Sequence, residues 1–173
     1  MIVTVNDSSI IFDLNAINLL DEFVNLDFKI IITDFVLYEV KNSDLFSKLL
    51  EFRRLNNIEI EIFNYEEMLE MYNIKNEVKS LSIPDCSVII VAKKLNAVVL
   101  SGDKVLRNKA NSLNLECHGI LWVFDKLIEQ EIISQSVAYE RLSCLIKINN
   151  RLPMNECNLR LEKWQPFFDF TQP

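Results

Sequence analysis

Glycine is nearly absent from this chain, with 2 in 173 residues, and proline is scarce at 4. A sequence so poor in both is not linker-rich or disordered, and each Gly or Pro becomes informative about a turn. Histidine occurs once, at His118, and the 4 cysteines (Cys86, Cys117, Cys144, Cys157) are widely spaced with no C-x-x-C pair. That argues against a Cys/His zinc site and for free, buried thiols in a reducing cytoplasm. No apolar run is long enough to span a bilayer. The amino-terminal MIVTVND has neither a basic segment nor a cleavage site, so it reads as a strand of the fold and not as a signal peptide. Positive charge is also short: the net charge is -7 and the pI about 4.8. Binding of nucleic acid by bulk electrostatics is disfavoured on that balance. An acidic chain does suit a site that gathers carboxylates around a cation.

What is present is a large apolar fraction, 50% of residues, with 25% charged, as in a globular protein of one domain. Ile2 to Asn6 is a short apolar strand, followed by helical periodicity from Ile10 to Val24. Lys29 to Ile32 is a second strand, with helical segments over Asp34 to Val40 and Ser43 to Arg54. Ile58 to Phe63 alternates apolar and acidic residues, as an edge strand does. Asn64 with Glu67, and Ser82 with Asp85 behind Pro84, carry reciprocal-cap signatures for two further helices. Ala97 to Leu100 and Leu115 to His118 complete five strands, with a helix from Lys104 to Leu113 between them. Helices from Leu121 to Glu129, Ser134 to Lys147 and Asn155 to Trp164 follow. Strands alternating with helices predict a parallel sheet covered on both faces, a three-layer α/β/α architecture. An order of 3-2-1-4-5 places the topological switch between the first and fourth strands, where such sheets bind ligands.

Four acids fall at informative places on that scheme. Asp7 ends the first strand, Glu39 lies in the helical segment after the second, Asp85 opens the helix before the fourth, and Asp103 follows the fourth. Each alone has an ordinary explanation, since carboxylates cap helices and favour helix N-termini. Together they would converge on one edge of the sheet. Clustered carboxylates repel one another unless a cation neutralises them. An all-oxygen set suits Mg²⁺ or Mn²⁺, and such a site points to phosphodiester hydrolysis.

The segments that carry these acids are Asp7-Ser8-Ser9 before IIFDL, TDFVLYE ending at Glu39, PDCSVIIVAKK with Asp85, and Ser101-Gly102-Asp103-Lys104-Val105-Leu106. In this order, each at a strand or helix boundary, they resemble the PIN-domain family over nearly the whole chain. The downstream HGILWVFDKL and NRLP segments resemble a bacterial, VapC-like branch of it. The resemblance implies one domain over residues 1–173 with a helical extension over about 134–173. It also implies Mg²⁺- or Mn²⁺-dependent cleavage of RNA, and the role of toxin beside a partner antitoxin.

On that reading Asp7, Asp85 and Asp103 hold the metal, Glu39 positions or deprotonates the attacking water, and Ser9 and Ser101 orient carboxylates from behind. Lys104 and Arg107 are placed to meet RNA phosphates, within a small basic patch with Lys93, Lys94 and Lys109. Asp13 and Asp34 are rival acids. Asp13 lies more than a helical turn beyond the strand, and Asp34 is expected to cap its helix with Thr33. His118 is expected to be structural. The tail phenylalanines Phe167, Phe168 and Phe170 are expected to pack on the body or on a second copy in a homodimer. Two other classes compete. A phosphatase with an aspartyl nucleophile usually has a second acid two residues on, where this chain has Ser9. A catalytically silent binding scaffold would not need all four acids intact.

Overall fold

The computed structural model describes residues 1–165. Its elements run β1 (Ile2–Asn6), α1 (Ser8–Ala16), α2 (Leu20–Phe23), β2 (Phe28–Thr33), α3 (Asp34–Glu39), α4 (Ser43–Arg54), β3 (Ile58–Glu61), α5 (Tyr65–Glu77), α6 (Ile83–Leu95), β4 (Val98–Leu100), α7 (Lys104–Ser112), β5 (Cys117–His118), α8 (Ile120–Glu129), α9 (Gln135–Ile148) and α10 (Met154–Trp164). The strands form a wholly parallel sheet in the order β3-β2-β1-β4-β5. This is the expected topology, with the switch between β1 and β4.

Thr4, Val5 and Asn6 point to alternate faces of β1 and are all fully buried, so helices cover the central strand on both sides. On one side α6 packs over β1, β2 and β4, with α3, α5 and α7 around it. Every residue of α6 from Cys86 to Ala92 is buried. A helix apolar all round is stable only when enclosed, and its start is fixed by the Ser82–Asp85 capping box. A cap of that kind contributes about 1 kcal/mol. Elsewhere α1, α2 and α8 pack together, and α9 pairs with α10.

The scarcity of glycine has a structural counterpart. Neither glycine has positive φ, and the left-handed positions are taken by Asn18, Asn56, Asn96 and Asn114, with Glu131. Asparagine is the side chain that best tolerates that conformation after glycine. Asn96 is the left-handed C-cap of α6. Asn18, at φ 52, breaks the helix expected over 10–24 into α1 and α2. The apolar face continues across the break through Ile17, Leu19, Leu20 and Phe23, all buried. Periodicity therefore reported burial and missed the backbone turn.

The third strand stops at Glu61, two residues short of expectation. Its neighbour β2 pairs as far as Thr33 with Glu61 and then turns into α3, so no backbone partner remains. Ile62 is exposed, and Phe63 packs on Phe35 instead. The cysteines are all free, but only Cys86 and Cys157 are buried, while Cys117 is partly exposed and Cys144 exposed. The tail phenylalanines lie outside the described residues.

Candidate active site

Asp7 occupies the N-cap position of α1 with extended backbone, yet its side chain caps nothing. The carboxylate is 4% exposed and turns toward two hydroxyls. Ser9 Oγ donates to Asp7 Oδ2 at 2.6 Å, and Ser101 Oγ donates to the same oxygen at 2.8 Å. Each serine in turn accepts a backbone N–H from the turn after β4: Gly102 N–H to Ser9 at 2.9 Å and Asp103 N–H to Ser101 at 2.9 Å. Two parallel relays thus bind the Ser101-Gly102-Asp103 turn to the end of β1. The bland account of Asp7, a helix cap, fails on this geometry. A carboxylate buried with two hydroxyl donors is held in one orientation.

Asp85 and Asp103 do cap, each with one oxygen. Asp85 Oδ2 accepts from Ser82 N–H at 2.6 Å, and Asp103 Oδ1 accepts from Val105 and Leu106 N–H, both at 2.8 Å. Among the described residues Asp103 Oδ2 makes no hydrogen bond. Burial raises the pKa of Asp85, and the charges of Asp7 and Asp103 raise it further against the hydrogen bonds from Ser82. Glu39 at the end of α3 is also raised, first by burial and then by Asp7 and Asp85, while a hydrogen bond from Ser8 works the other way. The Ser8 hydroxyl lies 3.5 Å from Asp7 Oδ1, between the two acids. The charges of Asp7 and Asp85 reach Glu39, and those of Asp7 and Asp103 reach Asp85, so these acids lie within electrostatic range of one another.

Thr33, together with two buried residues that the sequence did not single out, Ser87 and Asn6, holds the frame. Thr33 Oγ1 caps α3 by accepting Val36 N–H at 3.1 Å and lies 2.7 Å from Ser87 Oγ, which donates to Pro84 O at 2.6 Å. This fully buried chain locks the helix carrying Glu39 to the helix carrying Asp85. Thr33, not Asp34, is the cap; Asp34 Oδ1 accepts only from the adjacent Phe35 N–H. Asn6, beside Asp7, donates to Ile31 O at 3.0 Å, and its buried Oδ1 has no partner among the described residues. A polar residue at the end of an apolar strand was the one signal available for it.

Asp13 points elsewhere. Both its oxygens accept from Asn149 Nδ2 at 3.0 Å, and burial raises its pKa. The expected basic patch is largely neutralised: Lys93 pairs with Glu70, Lys94 with Glu61 and Glu67, and Lys109 with Glu77. Lysine stems on neighbouring helices met the acidic face of β3 and α5, a pairing that spacing within one element does not reveal. Lys104 is exposed, whereas Arg107 is partly buried in a cleft. His118 stacks on Trp122 with ring centres 4.6 Å apart and its Nε2 lies 2.7 Å from Glu116, a structural setting at the cleft wall. Burial pushes the thiols of Cys86 and Cys117 up to about 11, so neither is a nucleophile near neutral pH.

Among the described residues no three Asp, Glu, His or Cys side chains are drawn together tightly enough to encircle an ion by themselves. Nor is any described helix long and apolar enough to cross a membrane.

The family model described as DUF3368, PIN domain, matches residues 3–166. Among solved structures the chain is similar to PAE2754 from Pyrobaculum aerophilum, at 15% identity and a TM-score of 0.53 over 74% of this chain and 98% of that one. That likeness supports the α/β/α architecture. Two more are the PilT N-terminus domain protein SSO1118 from Sulfolobus solfataricus P2 (18% identity, TM-score 0.49, 74% and 95% covered) and VapBC-1 from nontypeable Haemophilus influenzae (14%, 0.48, 69% and 99%). Comparison with curated proteins returns no match.

Proposed function

Because the chain belongs to the PIN-domain family, whose model spans residues 3–166, we propose that it is a Mg²⁺- or Mn²⁺-dependent endoribonuclease. The observation that carries this reading is Asp7: a buried carboxylate that does not cap its helix and is held by Ser9 and Ser101 beside three further acids. The donor set fits a hard divalent ion, being carboxylate oxygen throughout. Burial and mutual repulsion already disfavour the charged forms of Glu39 and Asp85, a cost that a cation would offset. The loose spacing of the acids suits Mg²⁺, which keeps several of its waters and takes few protein ligands.

Asp7, Asp85 and Asp103 would hold the ion, directly or through water. When bound, it would supply positive charge to the scissile phosphoryl group. Ser9 and Ser101 keep Asp7 in place, since both hydroxyl protons are committed to it. Glu39 orients the attacking water and takes its proton; its raised pKa makes it a better base than an ordinary carboxylate. The water oxygen bonds to phosphorus, the bridging P–O bond breaks, and the leaving oxygen takes up a proton. Asp7→Asn, Asp85→Asn and Asp103→Asn should each abolish cleavage of RNA in Mg²⁺ or Mn²⁺. Unchanged turnover in all three would end the proposal.

The toxin role in a type II toxin–antitoxin pair is part of the same reading and comes from the sequence resemblance. One surface is suited to a protein partner: α5 exposes Tyr65, Met68, Leu69 and Tyr72, spaced as one apolar helical stripe. Expression of the chain without an antitoxin should arrest growth of the host, and Asp7→Asn should relieve the arrest. Normal growth with the native chain would remove the toxin role. The phosphatase alternative is weakened by Ser9, which stands where the second acid would be and donates to Asp7. The silent-scaffold alternative predicts no cleavage by the native chain.

A further inference from the structure

A cleft of about 230 Å³ opens beside the acid cluster and shares Ser9 and Gly102 with it. Its other wall comes from the connection between α9 and α10, including Asn149, Arg151 and Leu152. We propose that this cleft is a nucleotide subsite, in which Arg107 and Arg151 hold the phosphate of an RNA nucleotide next to the scissile one. The inference rests on the ribonuclease reading for the identity of the chain bound, and its own test is independent of cleavage.

Three guanidinium groups line the cleft, but they are not equivalent. Arg160 is spent on structure: its Nη2 and Nε reach Asp125 at 2.6 and 3.1 Å and its Nη1 reaches Glu156 at 3.1 Å, which ties α10 to α8. Arg107 and Arg151 form no salt bridge among the described residues. Arg107 reaches toward Gly119, its Nη1 3.4 Å from where a Cβ would stand there.

Arg151 is held from a distance. Asp13 on α1 accepts both hydrogen bonds of Asn149 Nδ2, and Asn149 Oδ1 accepts Arg151 N–H at 3.0 Å. A carboxylate in the first helix thereby fixes a turn 136 positions later. Asp13 is a positioning residue on this account, and its charge also faces Arg151. The aromatic wall is equally rigid: His118 lies flat on Trp122 at 4.6 Å, and Trp122 stacks on Phe28 at 5.4 Å.

The chemistry points to a phosphate with a nucleoside attached. Arginine forks match phosphate oxygens, and aromatic walls suit bases and riboses of single strands. The volume lies below the roughly 300–1,000 Å³ of drug-sized ligand clefts, which fits one unit of a longer chain. The location also answers the charge problem. With Lys93, Lys94 and Lys109 paired to acids, a protein of net charge -7 needs local cations where the strand passes, and the cleft supplies two next to the carboxylates.

The test is binding of a fluorescent single-stranded RNA to the full chain in EDTA at low salt. Arg151→Gln, at an exposed position where folding is not at stake, should weaken affinity about tenfold and lower the salt slope by about 0.7. Arg107→Gln should act alike, and Lys147→Gln, exposed on α9 outside the cleft, should change nothing. Unlabelled 5′-AMP should compete, and adenosine should not. Affinities of both arginine variants within about twofold of native, competition by adenosine equal to that by 5′-AMP, or no RNA binding by the native chain would each overturn the subsite. Binding that persists while the native chain fails to cleave would refute the nuclease and leave the subsite standing.

Discussion

Two neighbourhoods of opposite charge meet at Ser9 and Gly102. On one side Asp7, Glu39, Asp85 and Asp103 stand at strand and helix ends; on the other Arg107 and Arg151 line a cleft closed by the α9–α10 connection. The acid side is built from caps and strand ends, each fixed by residues within a few positions, and then joined by serine relays. The basic side depends on contacts across the chain, such as Asp13 with Asn149 and Asp125 with Arg160. A net charge of -7 is a sum over the surface and hides this division. Under the proposed function, the difference implies that one strand of RNA would be met by carboxylates at the reacting phosphate and by guanidinium groups one nucleotide away.

The sharpest way to separate the two sides is Asp7→Asn. Cleavage should fall by more than about 100-fold, beyond the roughly 10–100-fold typical of losing an outer hydrogen-bond partner of a metal ligand. RNA affinity in EDTA should stay within about twofold of native, since the arginines are untouched. Single-turnover cleavage and anisotropy read the two quantities separately. Equal losses in both would merge the two neighbourhoods into one.

Next in size is the response to metal and pH. Asp85 and Glu39 have pKa values raised by burial in the folded state. Between the ordinary carboxylate range and those raised values the folded chain binds more protons than the unfolded one. Stability of the metal-free protein therefore falls as pH rises through that window and levels off above it. A divalent ion should reverse the loss where the acids are ionised. With Mn²⁺ at about 100 times its Kd, stabilisation near pH 7 is about 2.7 kcal/mol, or a Tm rise of about 5–10 °C. The rise should vanish as pH falls below the window, because protons compete for the same oxygens. Thermal melts with and without Mn²⁺ across pH check this, and a pH-independent shift would place the ion elsewhere.

How much of this was legible beforehand follows the same division. The sheet order, the capping box at Ser82 and Asp85, and the placing of Asp7, Asp85 and Asp103 at strand and helix boundaries could be read because local rules set each piece. The break at Asn18 was hidden because the apolar face runs through it. Asp7 stands where a helix cap would, so its sequence position alone left capping open beside the metal-ligand reading, and only the side-chain hydrogen bonds show that its carboxylate turns away from the helix. The Thr33–Ser87 bond and the Asp13–Asn149 pair join residues 54 and 136 positions apart, and no spacing within one element encodes such contacts. Lys93, Lys94 and Lys109, expected in a basic patch, were misjudged for the same reason, since their acidic partners sit on a neighbouring helix or strand.

Between the two sides stands Ser101, fully buried, which accepts from Asp103 N–H and donates to Asp7. Ser101→Ala should reduce cleavage about 10–100-fold through kcat, with RNA affinity in EDTA unchanged. Ser101→Thr, which keeps the hydroxyl, should recover part of the rate if the extra methyl is accommodated. A loss confined to KM would show that the relay serves binding, and the boundary between the regions would have to be redrawn.

The smallest effect expected is at Asp13, and it discriminates best between the two acids of the first helix region. Removing the carboxylate in Asp13→Ala leaves Asn149 Nδ2 without its partner, at a cost of about 1–2 kcal/mol, seen as a Tm lower by about 2–8 °C. The turn holding Arg151 loosens, so RNA affinity in EDTA should weaken less than in Arg151→Gln. The Mn²⁺-dependent Tm rise and kcat should both survive. If that rise disappears with Asp13 and persists with Asp7→Asn, the ion belongs to the Asp13 side of the boundary, and the assignment of the first acid passes from the end of β1 to the middle of α1.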